Sequence, residues 1–321
     1  MTMVSQLLWA EMSLWLDPFQ LFTIPLDQWV TDIINFLVNH FRPLFQSIQV
    51  PIRWLLELFQ EMLTQTPPSL ILLLISMITW QVAGGKMAIY CLLTFLLIGY
   101  LDSWEEAMVT FSLVLTSLFV CILVGIPLGV LSARNDLFDA FLKPLLDAMQ
   151  TLPVFVYLVP VVMLFGLGEV PGVIATVIYA LPPLIRLTNL GIRQVSEDVV
   201  EASLAFGASP NQLLFGVQLP LAVPIILTGV NQTVLFALGM SVVTSMIAVP
   251  GLGLKVLRGL GTLDIGMAAV GGVCILGMAI LLDRITQSMG KTGREELRSH
   301  RPISLVKKFL AWVKKLSWVP N

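Results

Sequence analysis

The sequence predicts an all-α integral membrane protein, a helical bundle with about five to seven transmembrane helices. Three observations predict it. Of 321 residues, 57% are hydrophobic and only 12% charged, where an average soluble domain carries about 45–50% and about 25%. Mean hydropathy is +0.89. The apolar residues also gather into runs able to cross a hydrocarbon core ~30 Å thick at ~1.5 Å per residue. The net charge of −2 gives no ground for nucleic-acid binding, because the charges are sorted by region.

Residues 1–68 open the chain. Their first stretch, "MTMVSQLLWAEMSLWLDPF", has no basic n-region and no small-residue cleavage site, so it is not expected to be a signal peptide. Trp29, Ile33, Phe36, Phe41, Leu44, Ile48, Ile52, Leu55 and Phe59 then recur at helical spacing, with Pro43 and Pro51 dividing the stretch. This reads as amphipathic helices on a membrane surface, or as a packed subunit contact. Two short apolar runs, 69–83 and 86–101, are split by "AGGK" and make either two short spans or a re-entrant hairpin. A core domain at 109–290 follows, in which 109–133, 145–165, 171–190, 219–249 and 266–284 each read as a membrane helix. Small residues in "GIPLG" (125–129), "GVIATVIYA" (172–180) and "AAVGGVCILG" (268–277) allow close helix packing. Pro153, Pro160, Pro182 and Pro183 would break or bend their helices.

Positive charge sets the orientation. The segment 291–321 carries Lys291, Arg294, Arg298, Arg301, Lys307, Lys308, Lys314 and Lys315, and its side also receives Lys86, Arg134, Lys143 and Arg193. The opposite loops "LDSWEEAM" and "GLGEVPG" carry no Lys or Arg, and the connection at 250–265 only Lys255 and Arg258. By the positive-inside rule the C-terminus and the 191–219 loop are cytoplasmic and the N-terminus lies outside.

Several chemistries find no support. Cys91, Cys121 and Cys274 each sit alone in an apolar run, and His40 and His300 are remote from each other, so no catalytic pair and no metal site is expected. "MGKTGREE" at 289–296 contains Gly-Lys-Thr, but a phosphate loop needs glycine at 285, which is Ile285, and a preceding strand. The interiors of 109–133, 171–185, 219–249 and 266–282 carry no charge, leaving ion coupling without machinery. Uncharged polarity is present. Gln150, Asn231, Gln232, Thr233, Ser241 and Thr244 serve either as hydrogen-bonding glue between helices or as the lining of a translocation path.

The loop "EASLAFGASPNQLLFGVQLP" (201–220), within 196–220, interrupts this apolar pattern. Ser196 is a predicted N-cap, with Glu197 and Asp198 in the first turn where the helix dipole favours anions. That helix ends near Phe206, and Gly207 suits the position needing positive φ. Ser209 caps a second helix beginning at Pro210, and Leu219 and Pro220 mark the return to the membrane. The result is a compact knob with small residues that let another surface approach.

Glu201-Ala202-Ser203, Gly207 and Val217-Gln218-Leu219-Pro220 resemble the EAA loop, E-A-A-x3-G-x9-I-x-L-P, of the membrane subunits of ABC importers; Ser203 and Val217 are mild departures. Over 144–290, "QTLPVFVYLVPVVMLFGLGEVPG", "ALPPLIRLTNLGIRQV", "GASPNQLLFGVQLPLAVP" and "RGLGTLDIGMAAVGG" are similar to the permeases for glycine betaine, proline betaine and choline. The resemblance implies a type I, MetI-like permease in a bacterial inner membrane, dimeric around one pathway. It further implies two cytoplasmic ATPase subunits that hold the ATP and magnesium, an external substrate-binding protein, and no cofactor on this chain. Glu201 and Gly207 would fit the knob into a groove on the ATPase. Beyond the resemblance, "ISLVKKFLAWVKKLSW" (303–318) places Lys307, Lys308, Lys314 and Lys315 on one helical face, as in a helix lying on anionic lipid. Rival readings are a permease for another small solute, an ion-coupled transporter and a non-transporting membrane scaffold.

Overall fold

The computed structural model describes residues 25–296. The expected lipid-surface helix with Lys307, Lys308, Lys314 and Lys315 lies outside the described residues, as does the opening stretch 1–24. The chain divides into two compact units, residues 1–47 and 48–321.

Helix α1 (Leu26–Thr64) carries apolar residues at helical spacing, and it runs unbroken through Pro43 and Pro51, which were expected to divide it. Within the first unit, the Phe36 ring stacks on His40 with centroids 4.3 Å apart. In the second unit, Ile52, Leu56 and Leu63 are the buried residues of α1. After a sharp turn come α2 (Pro68–Ala83) and α3 (Gly85–Tyr100). Gly84 joins them at φ +86, a conformation glycine adopts without the clash that a Cβ brings.

Five more long elements follow: α4 (Trp104–Arg134), α5 (Asp136–Thr151), α6 (Val154–Phe165), α7 (Glu169–Arg193) and, after the knob, α10 (Leu219–Thr244). The knob holds α8 (Glu197–Ala205) and α9 (Pro210–Leu213), and α11 (Leu252–Thr262) and α12 (Ile265–Glu296) close the described chain. Among the described residues, four helical segments are long and apolar enough to cross a membrane alone: Trp104–Arg134, Glu169–Arg193, Pro210–Ile247 and Ile265–Gly290. Two bent pairs bring that number to six.

One of those pairs corrects the expected span 145–165. α5 and α6 meet at Leu152–Pro153 with a 100° bend. The residue before proline is forced out of the helical region, and the proline ring has no N–H to offer the preceding turn. Pro160, Pro182 and Pro183 do not break their helices: they sit inside α6 and α7.

Glycine sets the close approach of α4 to α7. A Cβ added at Gly129 would lie 2.5 Å from the Thr188 Cβ and 2.9 Å from the Ile185 carbonyl oxygen, and one at Gly125 3.0 Å from Leu181. On the other side of α7, Gly229 of α10 sits against Leu184. Packing of this kind, rather than burial from water, is what drives helix association in lipid. At the knob end of the bundle α4 meets α5, α7 meets α8, and Ser288 of α12 donates to the Val82 carbonyl at 2.8 Å. At the opposite end Lys255 of α11 donates to the Asp102 carbonyl and the Ser103 hydroxyl, and Gly168 bonds to the Ile247 carbonyl.

Candidate functional site

The knob is built from two caps. The Gly207 N–H bonds to the Leu204 carbonyl at 2.9 Å, and the Ala208 N–H reaches back to the Ser203 carbonyl at 3.1 Å. This double closure requires a left-handed residue at 207, and Gly207 has φ +82. Ser209 and Gln212 form a reciprocal capping box: the Ser209 N–H donates to Gln212 Oε1 at 2.8 Å, and the Gln212 N–H donates to Ser209 Oγ at 3.4 Å. Ser196 occupies the N-cap position of α8, but its hydroxyl accepts no capping bond, contrary to expectation; its carbonyl takes the Val199 N–H instead. The Ser203 hydroxyl is spent on the Val199 carbonyl at 2.7 Å.

No residue of α8 is buried. Glu201 and Ala202 face solvent, as do Gly207 and, beside it, Phe206 at 94% exposure. Leu214, at 1% exposure, anchors the knob among Leu142, Leu146, Ile192 and Ile226. Between Leu214 and Gln218 the helix widens to a π turn before α10 begins. Pro220 has no N–H for the Gly216 carbonyl and its ring would crowd that group, which the wider turn relieves. Leu219 and Pro220 therefore lie within one helix running Pro210–Ile247, not at a boundary between two.

Beside the knob a polar cluster ties three helices. Asp139 of α5 accepts from Ser132 of α4 at 2.6 Å and from the Asn189 amide of α7 at 2.7 Å, and pairs with Lys143 at 2.7 Å. Arg193 donates to the Ser132 carbonyl at 2.9 Å and pairs with Asp136 at 2.7 Å. Burial would raise the Asp139 carboxyl, but the hydrogen bonds from Lys143 and Ser132 and the charges of Lys143 and Arg193 outweigh it and hold it below its ordinary value.

The six candidate path residues are not brought together. Thr233 is fully buried and bonds to the Ala180 and Gly229 carbonyls, so it acts as glue between α7 and α10. Asn231 turns instead to α12, donating to Asp283 at 2.9 Å and accepting from Thr286. Gln232 is exposed, and Gln150 is half-buried at the end of α5. Ser241 and Thr244 do meet: with Ser117 and Thr176 they line a cavity of ≈ 10 Å³ between α4, α7 and α10, room for about one water. Thr244 also bonds within its own helix, to Met240. A wider cavity of ≈ 620 Å³ lies at the opposite end, walled by Phe95, Tyr100, Trp104 and Glu105.

Sequence reasoning missed Phe206, Asp139, Asn189 and Asp283. An aromatic wedged between two helix caps was a usable signal for Phe206. Asp283 was passed over because it lies just beyond the uncharged stretch 266–282; the fold holds it with amide donors from Asn231 and Gln287. Among the described residues no group of three or more His, Cys, Asp and Glu could hold a metal ion.

A bundle of helices long and apolar enough to cross a membrane, with a capped, exposed knob leading into one of them, is the architecture of a multi-pass membrane protein. The profile of the family described as binding-protein-dependent transport system inner membrane component matches residues 125–291. The chain is 54% identical over 279 residues to the glycine betaine/proline betaine transport system permease protein ProW of Escherichia coli, covering 87% of this chain and 79% of that one. It is 42% identical over 278 residues to the glycine betaine/carnitine transport permease protein GbuB of Listeria monocytogenes, covering 85% and 98%. In fold it resembles an inward-facing structure of the MetNI methionine ABC transporter, with TM-score 0.54 at 19% identity over 61% of this chain and 97% of that one. The chain belongs to the binding-protein-dependent transport system inner membrane component family: it is a multi-pass inner-membrane permease subunit of an ABC importer.

Proposed function

We propose that this permease moves glycine betaine, proline betaine or a related quaternary-ammonium solute into the cell, driven by ATP hydrolysis on separate cytoplasmic subunits. The identity to ProW along 87% of the chain is the observation that carries the cargo class. In this reading the chain binds no nucleotide and catalyses no reaction of its own. Its C-terminus is cytoplasmic and its N-terminus external, two copies enclose one path, and an external binding protein delivers the cargo. Bonds within the protein support the last point on nucleotide: Lys291 and Thr292 of the Gly-Lys-Thr run belong to the continuous helix α12, not to a phosphate-cradling loop.

Glu201, Ala202, Ser203, Gly207, Leu219 and Pro220 form the coupling element. The knob's exposed surface, with Phe206 and Leu204 standing in solvent, supports a protein partner, since buried aromatics carry much of the energy of such interfaces. Reconstitution of the permease with its ATPase and binding protein, followed by uptake of labelled glycine betaine, tests the proposal. ATP-dependent accumulation is expected, and its absence with a competent binding protein refutes the cargo assignment.

A further inference from the structure

One side of the bundle is polar at depths where lipid would penalise it. Arg186 lies roughly 10 Å before the end of α7 at 1.5 Å per residue. Its guanidinium bonds Asp147 of α5 at 2.6 Å, with side chains 41% and 65% exposed. Gln232, also exposed, sits roughly 20 Å beyond Leu219 by the same rise. Charged and amide groups within a membrane span face water or protein rather than hydrocarbon. Tyr179 of α7 and Phe236 of α10 meet on this side, ring centroids 5.2 Å apart. Tyr179 and Arg186 are separated by nearly two helical turns and Phe236 follows Gln232 by one turn, so Tyr179 shares a face of α7 with Arg186 and Phe236 shares a face of α10 with Gln232. Tyr157 of α6 packs into the same apolar cluster as Tyr179, and its buried hydroxyl has no hydrogen-bond partner among the described residues.

We infer that a zwitterionic cargo meets two successive positions on this side: Tyr157, Tyr179 and Phe236 take its trimethylammonium group at one, and Arg186 takes its carboxylate, by exchange with Asp147, at the other. The inference rests on the betaine cargo proposed above. A guanidinium binds either carboxylate through the same planar donors, and a quaternary ammonium is attracted to aromatic faces. Tyr179 and Arg186 are about 10 Å apart along the helix, too far for one small betaine to bridge, so rings and guanidinium serve successive positions. Exchange is easy because an exposed ion pair is held by only about a two- to fivefold preference.

Labelled glycine betaine and labelled choline, which lacks the carboxylate, are bound at equilibrium to the permease–ATPase complex in lipid nanodiscs without the binding protein. Asp147→Asn removes the internal competitor and should tighten betaine binding about two- to fivefold. Arg186→Gln should weaken it at least tenfold, and choline binding should respond to neither. The charge-swapped pair Arg186→Asp with Asp147→Arg should leave betaine binding impaired. Equal losses in both single variants, restored by the swap, would show a merely structural ion pair and overturn the inference while leaving betaine uptake by the wild type intact. If the wild-type complex fails to accumulate betaine at all, the cargo reading falls first and this assignment with it.

Discussion

Replacing Gly207 by valine isolates the backbone geometry of the knob. Gly207 holds φ +82 with nothing within 4 Å of where a Cβ would project, so a substitution there meets no steric wall. The cost is conformational: the left-handed region disfavours L-residues by roughly 1–2 kcal/mol, more for a β-branched side chain. A residue that retreats to negative φ gives up both closing bonds, from 207 to Leu204 and from Ala208 to Ser203. A shift of 1–2 kcal/mol changes the population of the native knob by a factor of about 5–30. Because α8 buries nothing, this loss stays local and the bundle should still insert and fold. Asparagine tolerates the left-handed region, so uptake in reconstituted vesicles should fall in the order Gly, Asn, Ala, Val, with ATP hydrolysis by the complex no longer stimulated by loaded binding protein in the last. A valine variant present at normal level and transporting at the wild-type rate would refute the assigned role of this turn.

Phe206→Ala removes the most exposed large apolar side chain of the knob; it should weaken permease–ATPase association by about 2 kcal/mol if Phe206 anchors the contact, read by co-purification across a detergent series. Gly129→Val forces a side chain against Thr188 and the Ile185 carbonyl, and should destabilise the α4–α7 packing by about 1–3 kcal/mol, seen as a lower thermal midpoint in detergent. Asp139 is held below its ordinary value, so its stabilising contribution is full above the unfolded carboxylate range near 4 and is lost as pH falls through the lower folded value. The thermal midpoint of the wild type should therefore exceed that of Asp139→Asn at pH 7 and converge with it in acid.

The spans centred on 120, 180, 235 and 275 were legible because long uncharged runs have one stable outcome in lipid, the helix. The knob was legible for a related reason: its caps use short-range chemistry, and Gly207, Ser209 and Pro210 each carry their conformational preference locally. Elsewhere the decisive physics was not local. Leu152–Pro153 ends the amphipathic helix α5 where the strongly apolar α6 begins, and a hydropathy window averaged over both joined what the backbone separates. Pro43, Pro51, Pro182 and Pro183 show the converse, since neighbouring hydrogen bonds and packing can accommodate a missing donor. The separation of Asn231, Gln232 and Thr233 onto three directions follows from 100° per residue. Which direction faces which helix depends on the close contact of Gly229 with Leu184, which no periodicity reveals. The Ser132–Asp139–Asn189 cluster joins residues 57 positions apart at its extremes, from Ser132 to Asn189, and leaves no pattern in sequence.

The unbroken helix Pro210–Ile247 has a mechanical corollary. Helical hydrogen bonding continues from the exposed knob through the π turn at Leu214–Gln218 into the bundle, so the two parts turn together. A one-residue insertion after Gln218 would turn the whole inner arm by about 100° relative to the outer one, and a deletion would turn it the other way. For the coupling role proposed above, a change in the length of this segment would have to be matched on the bundle side and on the partner-facing side together.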